Sequence, residues 1–343
     1  MRALPCLPGT EVDTELRGHD TAHWGTSLAN AAEIFMPLLE VAGARSVLEI
    51  GAYQGDLTAF LLEWAGPRKA RISAVDPKPG RELAKVAERN PELDLIRERS
   101  HEALGRIDIP DAVIVDGDHN YYTVAEELRI IAERTAPAPL PLLILHDLLW
   151  PHGRRDAYYS PEDIPDESRQ ELVEDAHVIP DEPGIAKYGL HYRWAAAREG
   201  GERNGVLTAI EDFAEGRDGV RLAIIPAFYG VGVMWSESAP WAEEVARRVE
   251  PWDRNPVLAR LERNRVYHLT RQFAQESQLE RQGRILRMML DSRAFGIADR
   301  LSRTRHAGDA VSWRDQVLDV LDAGENGEVS PRTAPGAAEA ERP

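Results

Sequence analysis

The chain of 343 residues holds one cysteine, Cys6, so no intrachain disulfide can form and no thiolate cluster can bind a metal. Long apolar runs are missing as well. A helix needs about 18 or more consecutive apolar residues to cross a bilayer, and no stretch here supplies them. The start of the chain, MRALPCLPGTEVD, has no apolar core of a secretory leader, so a cytoplasmic location is expected. Positive charge is scarce: 41 Lys and Arg stand against 58 Asp and Glu, a formal net charge of −17. Such a chain repels phosphate backbones, and nucleic acid is not expected as a partner. No internal repeat is visible. What remains is a chain that is 43% hydrophobic, enough for a sizeable core. Its length suits one large domain with an appendage.

Short apolar runs alternate with helical spacing over the first half. SVLEIG (46–51), RISAVDP (71–77), DLIRE (94–98), AVIVDGD (112–118) and LLILHD (142–147) read as five strands. Helical patterns fall at 26–41, 55–65, 80–89 and 122–134. This alternation predicts an α/β fold, a doubly wound Rossmann-like sheet that is mostly parallel. RLAIIP (221–226) and GVGVMWS (230–236) are joined by three residues, too few for a parallel crossover, so the sheet is expected to end in an antiparallel hairpin. Residues 1–23 read as irregular and 24–238 as the sheet domain. Within that domain 148–203 is rich in Pro, Gly, aromatics and charge, and reads as an insertion or lid. Residues 239–322 read as a helical appendage, with an imperfect leucine stripe suited to packing on the domain or on a second subunit. The tail 323–343 has the composition of a disordered segment.

Two strands end in chemistry. AVIV is followed by Asp116-Gly-Asp118-His119, and LLIL by His146-Asp147. In an open α/β sheet, ligands bind at the carboxyl ends of the strands. Two adjacent clusters there can build a metal site with a general base beside it. The first strand ends in Glu49-Ile-Gly51-Ala-Tyr53-Gln-Gly55, and the second in Asp76. The spacing G-x-x-x-G is not the G-x-G-x-x-G that admits a pyrophosphate, so a ligand without one is expected. A carboxylate at Asp76 can accept hydrogen bonds from both hydroxyls of a ribose.

These residues resemble the class I S-adenosylmethionine-dependent methyltransferases: E-x-G-x-x-x-G at 49–55, Asp76 after its strand, and the terminal hairpin. The likeness covers about residues 24–238. It implies that Gly51 and Gly55 line the methionine part of S-adenosylmethionine with Glu49 or Tyr53 nearby, and that Asp76 holds the ribose. It also places Ser100 and His101 near the adenine, and Asp116 beside the cofactor. D-G-D-H and H-D resemble a narrower group, the macrocin- and mycinamicin-type sugar O-methyltransferases. That likeness implies a divalent cation, commonly magnesium, with Asp116 and Asp147 as ligands. His146 stands where the group has Asp or Glu, so it is a third candidate ligand that suits zinc, iron or nickel better than magnesium. His119 is the expected general base, with Asp118 and His152 as its competitors.

In the insertion, LWPHGRRDAYYS (149–160) offers His152, Arg154, Arg155, Tyr158 and Tyr159, and His191 and Tyr192 follow. Arginines can clamp an anion and aromatics can stack on a ring. The expected partner is therefore a small acceptor, a sugar or glycosylated metabolite, with a homo-oligomer formed through the C-terminal helices. Three other readings stand beside this one. They are a metal-independent N- or C-methyltransferase, an iron oxygenase built on Asp116, His119 and His146, and a binding protein without turnover.

Overall fold

A computed structural model of the protein describes residues 27–305 and 312–325. The expected irregular segment 1–23 lies outside the described residues, and so does the tail from 326 onward. Ser27 caps a short 3-10 turn over Leu28–Ala31, which leads into α1 (Ala32–Val41). Then β1 (Ser46–Ile50), α2 (Asp56–Arg68), β2 (Arg71–Val75), α3 (Arg81–Arg89) and β3 (Asp94–Ile96) alternate. They are followed by α4 (Ser100–Arg106), β4 (Ala112–Val115), α5 (Tyr121–Thr135) and β5 (Leu142–Leu145). Apolar side chains recur at Leu57, Phe60, Leu61 and Trp64 in α2, and at Val124, Leu128 and Ile131 in α5. Each set makes one helical face that packs on the sheet. Helix α4 was not expected: its seven residues bury only Ala103 and Leu104, too few to show a period.

After an insertion come α6 (Val206–Glu215), β8 (Val220–Ile225) and β9 (Val231–Ser236). The seven strands lie in the order β3-β2-β1-β4-β5-β9-β8. Strands β1 to β5 pair in parallel, and β9 runs antiparallel to both neighbours. The fold is thus the expected Rossmann-like sheet with an antiparallel edge. All four residues of β4 and of β5 are buried, which explains their unbroken apolar runs. Val47, Ile114 and Ile144 serve the core on one face, and Leu48, Val113 and Leu143 the core on the other.

Register then sets the chemistry. Ile50 pairs with Val75 on one side and with Val115 on the other, and Val115 pairs with Leu145. The next residue on each strand is Gly51, Asp76, Asp116 or His146, so all four emerge in one row. The chain reverses its winding direction between β1 and β4, where an open sheet has its binding crevice.

The insertion at 148–203 has regular structure of its own. It contains a separate antiparallel pair, β6 (Leu172–Val178) and β7 (Leu190–Ala196). In β6 the adjacent Glu174 and Asp175 are both exposed, which breaks the alternation that would mark a strand. Two buried residues fasten the insertion. Arg155 donates to the carbonyls of Ala196, Pro183 and Gly184. Asp156 accepts from the backbone N–H groups of Tyr121 and Gly205 and from the Tyr158 hydroxyl.

The first compact unit ends at Arg271, beyond the boundary expected at 238. Helix α7 (Ala242–Val249) buries Ala242, Val245 and Val249 in the same core as Phe35 and Leu39, so it is part of the sheet domain rather than of an appendage. Helix α8 runs over Pro256–Leu290, and the second unit begins within it at Gln272. Helices α9 (Arg293–Arg305) and α10 (Trp313–Glu325) follow, so 323–325 are helical where a disordered tail was expected. Within that unit Asp299 accepts from the Ser312 hydroxyl and the Trp313 N–H, capping α10. Among the described residues no helix is long and apolar enough to cross a membrane.

Candidate active site

The turn after β1 is built on glycine. Gly51 has φ +87°, and a Cβ there would lie 2.1 Å from the carbonyl oxygen of Asp116. The exits of β1 and β4 can therefore touch only because residue 51 lacks a side chain. Gly55, at φ +86°, turns the chain into α2 against Leu83. Between them Tyr53 is exposed and also has positive φ. Asp76 is buried at the end of β2, and its carboxylate accepts from Tyr53 N (2.8 Å) and Lys78 N (2.7 Å). It fixes the glycine turn and retains acceptor capacity, since a carboxylate offers about four lone-pair sites. Glu49 is buried and accepts from Thr58 Oγ1 at 2.6 Å, and burial pushes its carboxyl up to about 8.

Ser100 opens α4, and the ring of His101 lies 3.1 Å from the carbonyl of Thr123. Below them is a group that no sequence motif marked. Glu127 on α5 is fully buried, and burial pushes its carboxyl up to about 8. Ser100 opposes this only in part, at a geometry short of a full hydrogen bond. The folded state thus holds a proton that the unfolded chain releases near the ordinary value of 4.5. A pKa raised on folding contributes stability below the unfolded value that is lost as pH rises through the folded one. Glu127→Gln is therefore expected to melt several degrees above the parent at pH 8.5 and at the same temperature at pH 4.5. Parallel melting curves at both pH values would refute this.

The β4 and β5 ends form one cluster. His146 is buried with both ring nitrogens engaged: Nδ1 lies 2.8 Å from Asp116 Oδ1, and Nε2 lies 2.7 Å from the carbonyl oxygen of Phe228. Burial alone would lower its pKa, but Asp116 and Asp147 carry it up to about 10. His119 Nε2 lies 2.8 Å from Asp147 Oδ2. Burial opposes its charge too, and the Asp147 carboxylate prevails and raises its pKa. Asp147 itself is buried, yet His146, His119 and His152 hold its carboxyl well below the usual range. Its φ is +62°, a conformation that non-glycine residues keep only where surroundings impose it. His152 is buried with its ring centroid 4.1 Å from that of His119. Burial, and then the charge of His119, push it down to about 3.

Several expected site residues serve elsewhere. Asp118 accepts from His119 N (3.1 Å), from Thr123 Oγ1 (3.0 Å) and from the Asn120 amide. It shapes the start of α5. Arg155 is spent on backbone carbonyls of the insertion, and Tyr158 is buried between Asp156 and Gln170. Arg154 pairs with Glu211 at 2.6 Å and donates to Thr208, both on α6. His191 lies on the outer face of β7 beside His177 and Asp175, because neighbours on a strand point to opposite faces. Tyr192 points inward, its hydroxyl 3.2 Å from His152 Nε2. Tyr159 is exposed, with its ring 5.5 Å from that of His119. Of the substrate candidates, His152, Tyr159 and Tyr192 therefore gather at the cluster.

One participant had no signal at all. Glu262 on α8 pairs with Arg265 three residues on (2.8 Å), yet it is buried, and its two oxygens also accept from the N–H groups of Phe228 (3.0 Å) and Tyr229 (2.7 Å). Both of those residues have positive φ, and the Phe228 carbonyl is the one that meets His146.

The donor atoms form two trios that share Asp147: Asp116, His146 and Asp147, and His119, Asp147 and His152. Within each trio the ligand atoms lie within 4.8 Å of one another. The two carboxylates of the first trio fit a hard cation, which prefers oxygen. His146 does not: it acts as a clamp on Asp116, held from behind by the Phe228 carbonyl.

Residues 48–148 match a family described as a methyltransferase domain. The matched segment runs from β1 to just past β5 and includes both clusters. Set on this architecture, the match supports a class I S-adenosylmethionine-dependent methyltransferase. No curated protein matches the chain. Among solved structures it is similar to the methyltransferase PaMTH1 of Podospora anserina with bound S-adenosylhomocysteine. The identity is 15%, over 61% of this chain and 79% of that one, with a TM-score of 0.39. It is similar to the O-methyltransferase TomG of Streptomyces achromogenes, at 16% identity over 61% and 81%, with a TM-score of 0.37. It is also similar to 1,6-didemethyltoxoflavin-N1-methyltransferase of Burkholderia thailandensis, at 18% over 64% and 82%, with a TM-score of 0.36. Likenesses this remote bear on neither the acceptor nor the reacting atom.

Proposed function

We propose that the protein transfers the methyl group of S-adenosylmethionine to a hydroxyl of a small acceptor, a sugar or a glycosylated metabolite. One observation carries the reading: register puts the glycine turn and Asp76 on one side of the β1–β4 crevice and a carboxylate–imidazole cluster on the other. The residues present suit the donor. Asp76 is buried with acceptor capacity to spare, the turn has no pyrophosphate pattern, and Glu49 and Tyr53 border it. When bound, the donor supplies an electrophilic methyl group on sulfur.

What the chain must add is a hydroxyl oxygen with its proton removed. Asp147 holds His119 through Nε2, which leaves Nδ1 to receive that proton. Asp147 also stabilises the imidazolium that results. A divalent cation would be held by Asp116 and Asp147, with His146 orienting Asp116, and would supply acidification of the hydroxyl. Tyr159 and Tyr192 supply ring surface for the acceptor.

Calorimetric titration with S-adenosylhomocysteine tests the donor half. The parent is expected to bind, and Asp76→Asn, which keeps an acceptor oxygen for the turn, to bind at least tenfold more weakly while remaining folded. Equal affinities would remove Asp76 from the site. Chelation followed by add-back tests the cation, since turnover that survives excess chelator would exclude it.

A further inference from the structure

The geometry points to a second cation site in the same crevice, on His119, Asp147 and His152, that takes a borderline divalent ion of the zinc class. Two imidazoles and one carboxylate are the donor set that first-row transition metals prefer over magnesium. Zinc holds nitrogen and oxygen donors at about 2.0–2.2 Å, which sets them about 3.3 Å apart in a tetrahedron. Here His119 Nε2 and Asp147 Oδ2 are 2.8 Å apart, and all three ligand atoms lie within 4.8 Å. The His119–Asp147 pair must open by about 0.5 Å and the other pairs close by at most about 1.5 Å to complete the site.

This trio is better placed for such an ion than its neighbour. His146 already spends both ring nitrogens on Asp116 and the Phe228 carbonyl. His152 has Tyr192 on Nε2, and a partner on one ring nitrogen fixes how the other is presented. Asp147 and His152 are buried and His119 nearly so, which keeps water from competing for the ion.

A consequence follows that rests on the proposed methyl transfer. An ion on this trio commits the His119 nitrogen that faces Asp147 and draws Asp147 away from Asp116. Zinc should then inhibit turnover, while ion binding itself needs no catalytic role.

The test is calorimetric titration of the metal-free full-length protein with zinc chloride, with cobalt(II) absorption as a second readout. One ion per chain is expected. His152→Ala and His119→Ala should each weaken binding at least tenfold, and Asp116→Asn less than threefold. Should His152→Ala fail to fold, His152→Gln replaces it. Unchanged affinity in both histidine variants, or an Asp116→Asn loss as large as theirs, overturns the site. S-adenosylhomocysteine is titrated into the same samples. Its binding without zinc binding defeats the ion site alone. Zinc binding without it defeats the methyltransferase reading and leaves the ion site standing.

Discussion

Replacing Asp147 with Asn is expected to lower kcat by about 10²–10⁴, the usual contribution of a positioned base, and to leave affinity for S-adenosylhomocysteine within threefold. The carboxylate is the common partner of the cluster: Oδ2 lies 2.8 Å from His119 Nε2 and 3.6 Å from His146 Nδ1. Asn preserves shape and removes the charge that raises the pKa of His119. The base form of His119 accumulates only as pH passes that raised pKa. The ascending limb of the pH–rate profile should therefore move to lower pH in the variant. His119→Ala should show a comparable loss, and the double variant little more, because residues that act as one unit are not additive. An unchanged kcat, or a limb that stays in place, would take Asp147 out of the chemistry.

Gly51→Ala carries the second large effect, this time on stability. A methyl group at this position meets the Asp116 carbonyl oxygen at 2.1 Å, and that atom is backbone, one residue past the Ile50–Val115 pair and tied to it by the Asp116 N–H donating to the Ile50 carbonyl. The clash cannot be relieved by turning a side chain. Overpacking costs about 1–3 kcal/mol. The positive φ adds strain that glycine avoids. A total near 3 kcal/mol predicts a melting temperature lower by about 6–12 °C for a domain of this size. Since the β1 and β4 exits are forced apart, binding of S-adenosylhomocysteine should fall with it. Thermal melts and calorimetry on one preparation read both. A variant that melts within 2 °C of the parent would mean that the two exits do not need their close approach.

Much of the site was legible because it sits where strands stop. An apolar run ending in Gly51, Asp76, Asp116 or His146-Asp147 marks its own end, and a parallel sheet brings such ends to one edge. The arginines of 149–160 misled for the opposite reason. A charged side chain in a loop looks available for a ligand, and nothing local reveals that Arg155 is buried among carbonyls 28 to 41 residues away in sequence. The hydrogen bonds of Asp118 to Asn120 and Thr123 could not be read either, because those turn partners have no motif of their own.

The pattern of apolar runs and turns determined the parallel sheet, its antiparallel edge and the row of chemical residues at the strand ends, because burial and strand period are local properties. Tertiary structure alone decided which of those residues meet. His119, Asp147 and His152 converge because the segments that follow β4 and β5 cross at one point, and Glu262 enters because α8 lies against the Phe228–Tyr229 turn. Contacts between residues distant in sequence depend on how whole elements pack, and no short stretch of sequence records them.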